Sequence, residues 1–448
     1  MEKTSNSFFS AIGKFFKAVG KGISKVPFIA RIAIGLVIGV GFALLFPKAT
    51  FIGVFGTVFT SALKAVAPVL VFILITNALS SAGKNIGSRF FKVICLYMGT
   101  TLLAAILAVI GSFIFKLKIP FATIPDGYTP PSSLGDVFKT LLLNLVENPV
   151  SAIINGNYVG ILTWAIMAGI ALRIVGSEKT KQVIKDISSA VSKIVSWVIQ
   201  LAPIGVMGLV FTSVSELGMQ IFIDYGALLL LLVGCMLTLS LVINPIIMFF
   251  CLKKNPYPLV FRCLKESGLQ AFFTRSSAAN IPVNMKLCEE LGLDQEYYSV
   301  AIPLGATINM DGAAITITVM SLCAAFSMGI EVNFFVAILL CFVATLGACG
   351  ASGVPGGSLL LIPMACSLLG VDSTIAMQVV GVGFIIGVIQ DSVETALNSS
   401  GDVMFTATAE FMEWRKQGKP LYFTKKQKLK AEEKSLTAVE ITETTVEE

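Results

Sequence analysis

The stretch from Met377 to Phe411, MQVVGVGFIIGVIQDSVETALNSSGDVMFTATAEF, constrains this chain more than any other. It is long and apolar enough to cross a bilayer as a helix, yet Asp391, Glu394, Thr395, Asn398 and Asp402 interrupt it at offsets of 0, 3, 4, 7 and 11. On a helix that spacing puts all five on one face. An acid near the bilayer centre costs about 2.5–3.5 kcal/mol on insertion scales, so three of them must face a site inside the protein. Polar residues in spanning helices also act as interhelical glue worth about 0.6–2 kcal/mol each, but glue is usually a lone Ser, Thr or Asn. Three carboxylates with Thr and Asn between them read instead as a surface for a cation and a ligand.

The rest of the chain fits that reading. Hydrophobic residues make up 55% and charged residues 13% of it, and the mean hydropathy is +0.85, which indicates an all-α polytopic membrane protein. Histidine is absent, which excludes Ser-His-Asp triads, Cys-His pairs and His-ligated metals. No Ser sits beside a plausible Lys base at membrane depth, so an enzyme is not expected. The nine cysteines have no CxxC spacing and lie mostly in apolar segments, so neither disulfides nor a metal cluster is expected. Loops flanking spans account for the net charge of +6 without a nucleic-acid partner.

Residues 1–26 carry Phe8, Phe9, Ile12, Phe15, Phe16, Val19 and Ile23 at helical spacing among lysines, which predicts an amphipathic helix on the lipids of the inner leaflet. The apolar run to Phe46 then reads as an uncleaved anchor. Six spans are expected within 27–252, at about 28–46, 52–80, 91–115, 137–174, 182–213 and 225–251, with kinks at Pro68, Pro149, Pro203 and Pro245. Residues 119–135 form a Pro/Gly/Ser loop. Lys and Arg concentrate after the second, fourth and sixth spans, which puts both termini in the cytoplasm. The tail over 415–448 is charged and is expected to be disordered.

Within 253–414 the pattern changes. Residues 268–283 and 345–363 each have a Gly/Ala/Ser tip between short apolar arms, and each precedes a helix with an Asn and an Asp: Asn309 with Asp311, then Asn398 with Asp402. By chain direction the two tips enter from opposite faces, the mark of an inverted repeat with broken backbone at mid-membrane. GATINMDG at 305–312 predicts an unwound turn whose carbonyls, with Asp311, offer hard oxygens to an alkali cation. Tyr97, Thr100 and Thr101 can add hydroxyls, although paired threonines in a span more often bond back to their own helix. Arg275 needs a partner inside the membrane, either Asp391 or Glu394. Ser276, Ser277 and the amides beside them can cradle a carboxylate, as helix amino ends do. Asp391 is expected to remain for an ammonium group, and together these describe an amino-acid zwitterion.

TRSSAANIP at 274–282, GATINMDGAA at 305–314, GASGVPGG at 350–357 and QDSVETALNSSGD at 390–402 resemble the dicarboxylate/amino acid:cation symporter family, the glutamate-transporter fold. Within it the chain is most similar to the bacterial serine/threonine:sodium branch. The resemblance implies eight transmembrane helices, two oppositely oriented re-entrant hairpins, and a homotrimer in the bacterial inner membrane. In it, the hairpins and last two helices, with the third and sixth, move as an elevator against a scaffold. By position, it implies that Asp391 and Thr395 hold the substrate ammonium, and Ser277 and Asn398 its carboxylate. Asn309, Asn398, Asp402 and the Gly305 carbonyl would form one sodium site; Tyr97, Thr100, Thr101, Asn309 and Asp311 a second. A third would use carbonyls of Thr307, Ala348, Cys349 and Ala351, closed by the second hairpin around Val354 and Pro355.

Three departures matter. Acidic-substrate carriers have an arginine where this chain has Glu394, and a threonine where it has Ala313. An acidic side chain would meet a carboxylate in a desolvated pocket, so a small neutral hydroxylated one fits better. The serine/threonine branch often has Ala where this chain has Asp311, which leaves the number of sodium ions open. The expectation is a sodium-coupled importer of serine and threonine with no organic cofactor. The alternatives are a proton- or sodium-coupled dicarboxylate carrier and a passive ion channel.

Overall fold

The computed structural model describes residues 26–80, 88–121, 142–351 and 355–423, and among them every regular element is helical. The amphipathic helix expected before Pro27, most of the 119–135 loop, and Val354 lie outside the described residues. Helix α1 (Phe28–Leu45) turns tightly into α2 (Gly53–Ser80), which is followed by α3 (Ser88–Phe115). After a short helix, Pro149–Asn155, come α4 (Tyr158–Val175), α5 (Glu178–Ile199) and α6 (Ala202–Leu217). Helix α7 (Ile221–Thr238) passes through a wide turn, Leu239–Ile243, into α8 (Asn244–Leu252).

Two of the expected spans are broken. The segment 137–174 is not one continuous helix, because Asn148 caps Pro149–Asn155, Gly156 ends it at φ 66°, and Asn157 caps α4 afresh. The segment 182–213 bends by 52° between α5 and α6, where Pro203 sits in the first turn of α6. Six helical segments among the described residues are long and apolar enough to cross a membrane, or seven if α5 and α6 count as one. Length and composition alone therefore do not reach the expected eight, because the apolar part of α1, Ala30–Leu45, is short.

The Gly/Ala/Ser-tipped stretches both fold as helix, break, helix. In the first, α9 (Tyr257–Cys263) and α10 (Leu269–Thr274) lead to Arg275, and α11 (Ser277–Glu290) returns against α10 and the Leu264–Gly268 turn before it. In the second, α14 (Phe334–Ala348) ends near Cys349, and α15 (Ile362–Leu368) returns against it. Between them α12 (Gln295–Ile308) breaks at Asn309 and Met310 before α13 (Asp311–Ser327). The last helix, α16 (Ser373–Lys416), carries the acidic stripe. It outruns the expected boundary at 414, and the chain stays packed to Phe423, whose buried ring lies 5.5 Å from that of Phe411. Leu421 and Phe423, two apolar residues at the head of a charged segment, are the reason. Residues 424–448 lie outside the described residues.

Packing sorts the helices into two groups. Helices α1, α2, α4, α5 and α6 pack among themselves, while α3, α7, α8 and the two broken stretches gather around α13 and α16. Burial marks the centre of the second group: 94% of the most apolar window of Gln295–Ser327 and 72% of that of Ser373–Lys416 are buried, against 39–44% for the other spans. Glycine brings the first group together, as small residues do where helices meet in lipid. A Cβ on Gly35 would lie 2.1 Å from the Pro203 carbonyl oxygen, and one on Gly39 2.5 Å from that of Met207. Gly35→Ala should cost about 1–3 kcal/mol through overpacking. Gly41→Ala, on the same helix with open space around it, should gain up to about 1 kcal/mol from helix propensity. Thermal melting of both variants in detergent checks the contrast.

Candidate functional site

All five stripe residues of α16 are buried, but they serve different partners. Asp391 pairs with Arg275, Nε to Oδ2 at 2.5 Å, and its Oδ1 accepts the Gly356 amide at 3.0 Å. This resolves the choice left open by the sequence: Arg275 pairs with Asp391 rather than Glu394, and both Asp391 oxygens are engaged. Arg275 takes a left-handed conformation, φ 51°, at the end of α10, a position where glycine is the default. The strain is held by the buried ion pair, whose disruption from one side costs about 3–5 kcal/mol. The Arg275 Nη1 is buried without a hydrogen-bond acceptor among the described residues.

Glu394 pairs with no Lys or Arg among the described residues. Thr316 Oγ1, Ser358 Oγ and Gln390 Nε2 donate to its Oε2 at 2.7, 2.9 and 2.6 Å. Gln390 also lies 2.7 Å from Thr316 Oγ1. Sequence reasoning missed all three donors, although Gln390 stands one turn before Glu394 and Thr316 one turn after Gly312. Gly312 is needed where α13 crosses α16, since a Cβ there would lie 3.0 Å from Glu394 Cα. Ala313 beside it is fully buried.

The remaining expected substrate ligands lie at the start of α11 and along α16. Ser276 Oγ caps α11 by accepting the Ala279 amide at 3.2 Å. Ser277 is buried at the first turn of α11. Thr395 Oγ1 donates back to the Asp391 carbonyl at 2.7 Å. Asn398 Oδ1 accepts the Gly312 amide at 2.8 Å, which fastens the start of α13 to α16.

Around the α12–α13 break the structure gathers oxygens that lack donors. Asn309 Nδ2 donates to Asp402 Oδ1 at 3.0 Å and lies 3.2 Å from the Asn398 carbonyl. Thr101 Oγ1 lies 2.9 Å from Asp311 Oδ1. Asn309 Oδ1, Asp311 Oδ2 and Asp402 Oδ2 are buried and have no hydrogen bond among the described residues. No Lys or Arg among the described residues pairs with Asp311, Glu394 or Asp402. Tyr97 is fully buried with its hydroxyl 2.7 Å from Thr406 Oγ1, and Thr100 bonds back to Leu96 at 2.9 Å. Gly305 permits this crowding: a Cβ there would lie 2.8 Å from both Asp402 Oδ1 and the Tyr97 hydroxyl.

Two expected carbonyl ligands are not released by the break. The Gly305 carbonyl still accepts the Asn309 amide at 2.9 Å, and that of Ala348 accepts the Ala351 amide at 2.9 Å. The reason is local: the chain makes one more helical or tight-turn bond before it departs. Thr307 is exposed, with its hydroxyl bonded back to Leu304. Cys349 Sγ comes within 3.6 Å of the Ile308 carbonyl, which brings the second broken stretch to the end of α12.

Sequence reasoning also missed what fixes the first broken stretch. Asn280 Nδ2 donates to Ser399 Oγ at 2.7 Å, Asn284 Nδ2 to the Ser399 carbonyl at 3.0 Å, and Ser267 Oγ to Asn284 Oδ1 at 2.5 Å. Asn280 and Asn284 are one turn apart in NIPVN, and that spacing was the available signal. At the far end of α16, Arg89 of α3 bonds Asp294 at 2.9 Å and holds its carboxyl below the usual carboxylate range. Lys92 pairs with Glu413 there.

A model of the sodium:dicarboxylate symporter family matches residues 28–411. The chain is 55% identical over 426 residues to the serine/threonine transporter SstT of Bifidobacterium adolescentis, covering 94% of this chain and 99% of the relative. The serine/threonine transporter SstT of Streptococcus agalactiae serotype III is 55% identical over 391 residues, 87% of this chain and 97% of the relative. That of Streptococcus thermophilus is 53% identical over 394 residues, 88% of this chain and 98% of the relative. The matched span takes in α1 to Phe411, with both broken stretches and the acidic stripe, and the chain belongs to the sodium:dicarboxylate symporter family.

Proposed function

We propose that this protein is a sodium-coupled symporter that imports serine and threonine. The observation that carries the reading is the set of buried oxygens of Asn309, Asp311 and Asp402 around one helix break that have no hydrogen bond among the described residues. Unpaired carboxylate and amide oxygens in a dry interior are costly, and an alkali cation is the ligand that satisfies them. The relatives named as serine/threonine transporters support the substrate class.

In this reading the buried Arg275–Asp391 pair opens to admit the substrate. A zwitterion enters between its members, with the ammonium at Asp391 beside Thr395. The carboxylate lies at the Arg275 Nη1 and the start of α11, beside Ser277 and Asn398. Charges then remain balanced at each end, as a low-dielectric site requires. Glu394 lines the side-chain end with Ala313 and repels an acidic substrate. Coupling follows from shared backbone: Asn398 holds Gly312, and Asn309 reaches Asp402 and the Asn398 carbonyl. A cation that organises the break also organises the substrate site.

Alternating access is read as movement of the group around α13 and α16 against the group built on α1, α2, α4, α5 and α6. Two oppositely oriented re-entrant hairpins, a homotrimer in the bacterial inner membrane and cytoplasmic termini complete the reading. The ion pairs of Arg89 and Lys92 support α3 travelling with α16.

Uptake of labelled serine into liposomes tests this. It should require an inward sodium gradient, fail when potassium replaces sodium, and be competed by threonine but not by aspartate. Proton-driven uptake without sodium would overturn the cation assignment. Asp391→Ala should weaken serine binding by about 2–5 kcal/mol, or thirtyfold and more. Unchanged serine affinity in that variant defeats the assignment. Glu394→Gln should let aspartate compete at least tenfold better relative to threonine, read from inhibition curves. Asp402→Asn should raise the sodium concentration for half-maximal uptake, with serine affinity at saturating sodium little changed.

A further inference from the structure

Glu394 is fastened unevenly. Thr316 Oγ1 of α13, Ser358 Oγ of the second broken stretch and Gln390 Nε2 of α16 all donate to its Oε2, at 2.7, 2.9 and 2.6 Å. A carboxylate has about four lone-pair directions divided between two oxygens, so three donors crowd one oxygen and neglect the other. Oε1 accepts no hydrogen bond among the described residues. An acid that served only to tie α13, α16 and the second stretch together would share its donors between both oxygens.

The clamp leaves Glu394 little freedom. Gln390 Nε2 also donates to Thr316 Oγ1 at 2.7 Å, which joins two of the three donors to each other. Gln390, Thr316 and Ser358 are all buried, so none is free to follow a moving carboxylate. With Oε2 pinned at three points, Oε1 keeps one direction. It is not sealed in the way of Asp311 Oδ2 and Asp402 Oδ2, since Glu394 retains 5% of its surface. Asp391, where the proposed reading places the ammonium, lies one turn earlier on the same face of α16. In serine and threonine the ammonium and the hydroxyl are on adjacent carbons, so one small ligand reaches both acids.

We propose that Glu394 Oε1 accepts the side-chain hydroxyl of the substrate, and that Gln390, Thr316 and Ser358 are positioning residues that keep this oxygen turned to the ligand. The proposal rests on the reading of the protein as a carrier of serine and threonine, and it names the atom that tells a hydroxylated side chain from an apolar one of the same size. An apolar analogue would take water from the carboxylate oxygen and return no donor, which penalises it by more than the missing bond alone.

The test compares serine with α-aminobutyrate, in which a methyl group replaces the hydroxyl. Each is titrated as a competitor of sodium-driven uptake of labelled serine into liposomes, and as a ligand that raises the melting temperature of the full-length protein in detergent at saturating sodium. Wild type should need at least about tenfold more α-aminobutyrate than serine in both assays. Glu394→Met should need at least about tenfold more serine than wild type for half of the melting shift, and no more than about twofold more α-aminobutyrate, so that the preference disappears. Gln390→Met should narrow the preference, and equal weakening of both ligands in that variant would overturn its positioning role. If serine is imported with sodium and wild type does not distinguish the two ligands, or Glu394→Met keeps the preference, the proposal fails while the carrier reading stands. If serine is neither imported nor raises the melting temperature, the carrier reading fails as well. If Glu394→Met does not fold, Glu394→Gln decides: its oxygen stays with the three donors and its NH2 faces the ligand, so a preference as large as that of wild type overturns the proposal.

Discussion

Everything in the second helix group follows from the difficulty of keeping carboxylates out of water. A charge in a low-dielectric interior must be paired, hydrogen-bonded or given an ion. This chain uses all three on one helix. Asp391 is paired with Arg275, Glu394 is surrounded by neutral donors, and Asp402 keeps one oxygen without a donor among the described residues. The proposed function rests on that division: a zwitterion exchanging with the paired groups and a cation taken by those left unmet.

The broken helices serve the same need. A continuous helix spends every amide on its own carbonyls, so it has no backbone groups to offer a neighbour. Breaking at Asn309 and Met310 releases the Gly312 amide to Asn398 and turns Asp311 toward Thr101. Ending α10 on a left-handed Arg275 aims a guanidinium at Asp391. Each break needs support from outside, and the Asn280, Asn284 and Ser399 bonds, with Tyr257 on the Leu241 carbonyl, provide it. Rigid attachment of the arms to α16 means that these groups keep their geometry if the whole group moves.

Legibility was uneven, for physical reasons. The stripe on α16, the break before Asp311 and the two small-residue tips were readable because each violates a strong rule: no acids in lipid, no free backbone in lipid, no runs of small residues without a use. The kinks at Pro149 and Pro203 were readable, but their size was not, since a proline permits a bend that neighbouring helices then set. The donors to Glu394 were unreadable because Thr316, Ser358 and Gln390 are ordinary residues in their own segments. They gain meaning only when α13, the second broken stretch and α16 converge.

The amino-acid sequence by itself determined the class of molecule, the residues that cannot face lipid and the places where helices must break, because those follow from the local cost of burying charge and backbone. Only the tertiary structure decided the partners. It chose Asp391 over Glu394 for Arg275, kept the Gly305 and Ala348 carbonyls within their own turns, packed Leu421 and Phe423 against the end of α16, and buried Asn244 completely. Pairing across hundreds of residues depends on which helices meet and at what rotation, and that is settled by packing of whole surfaces rather than by any local pattern.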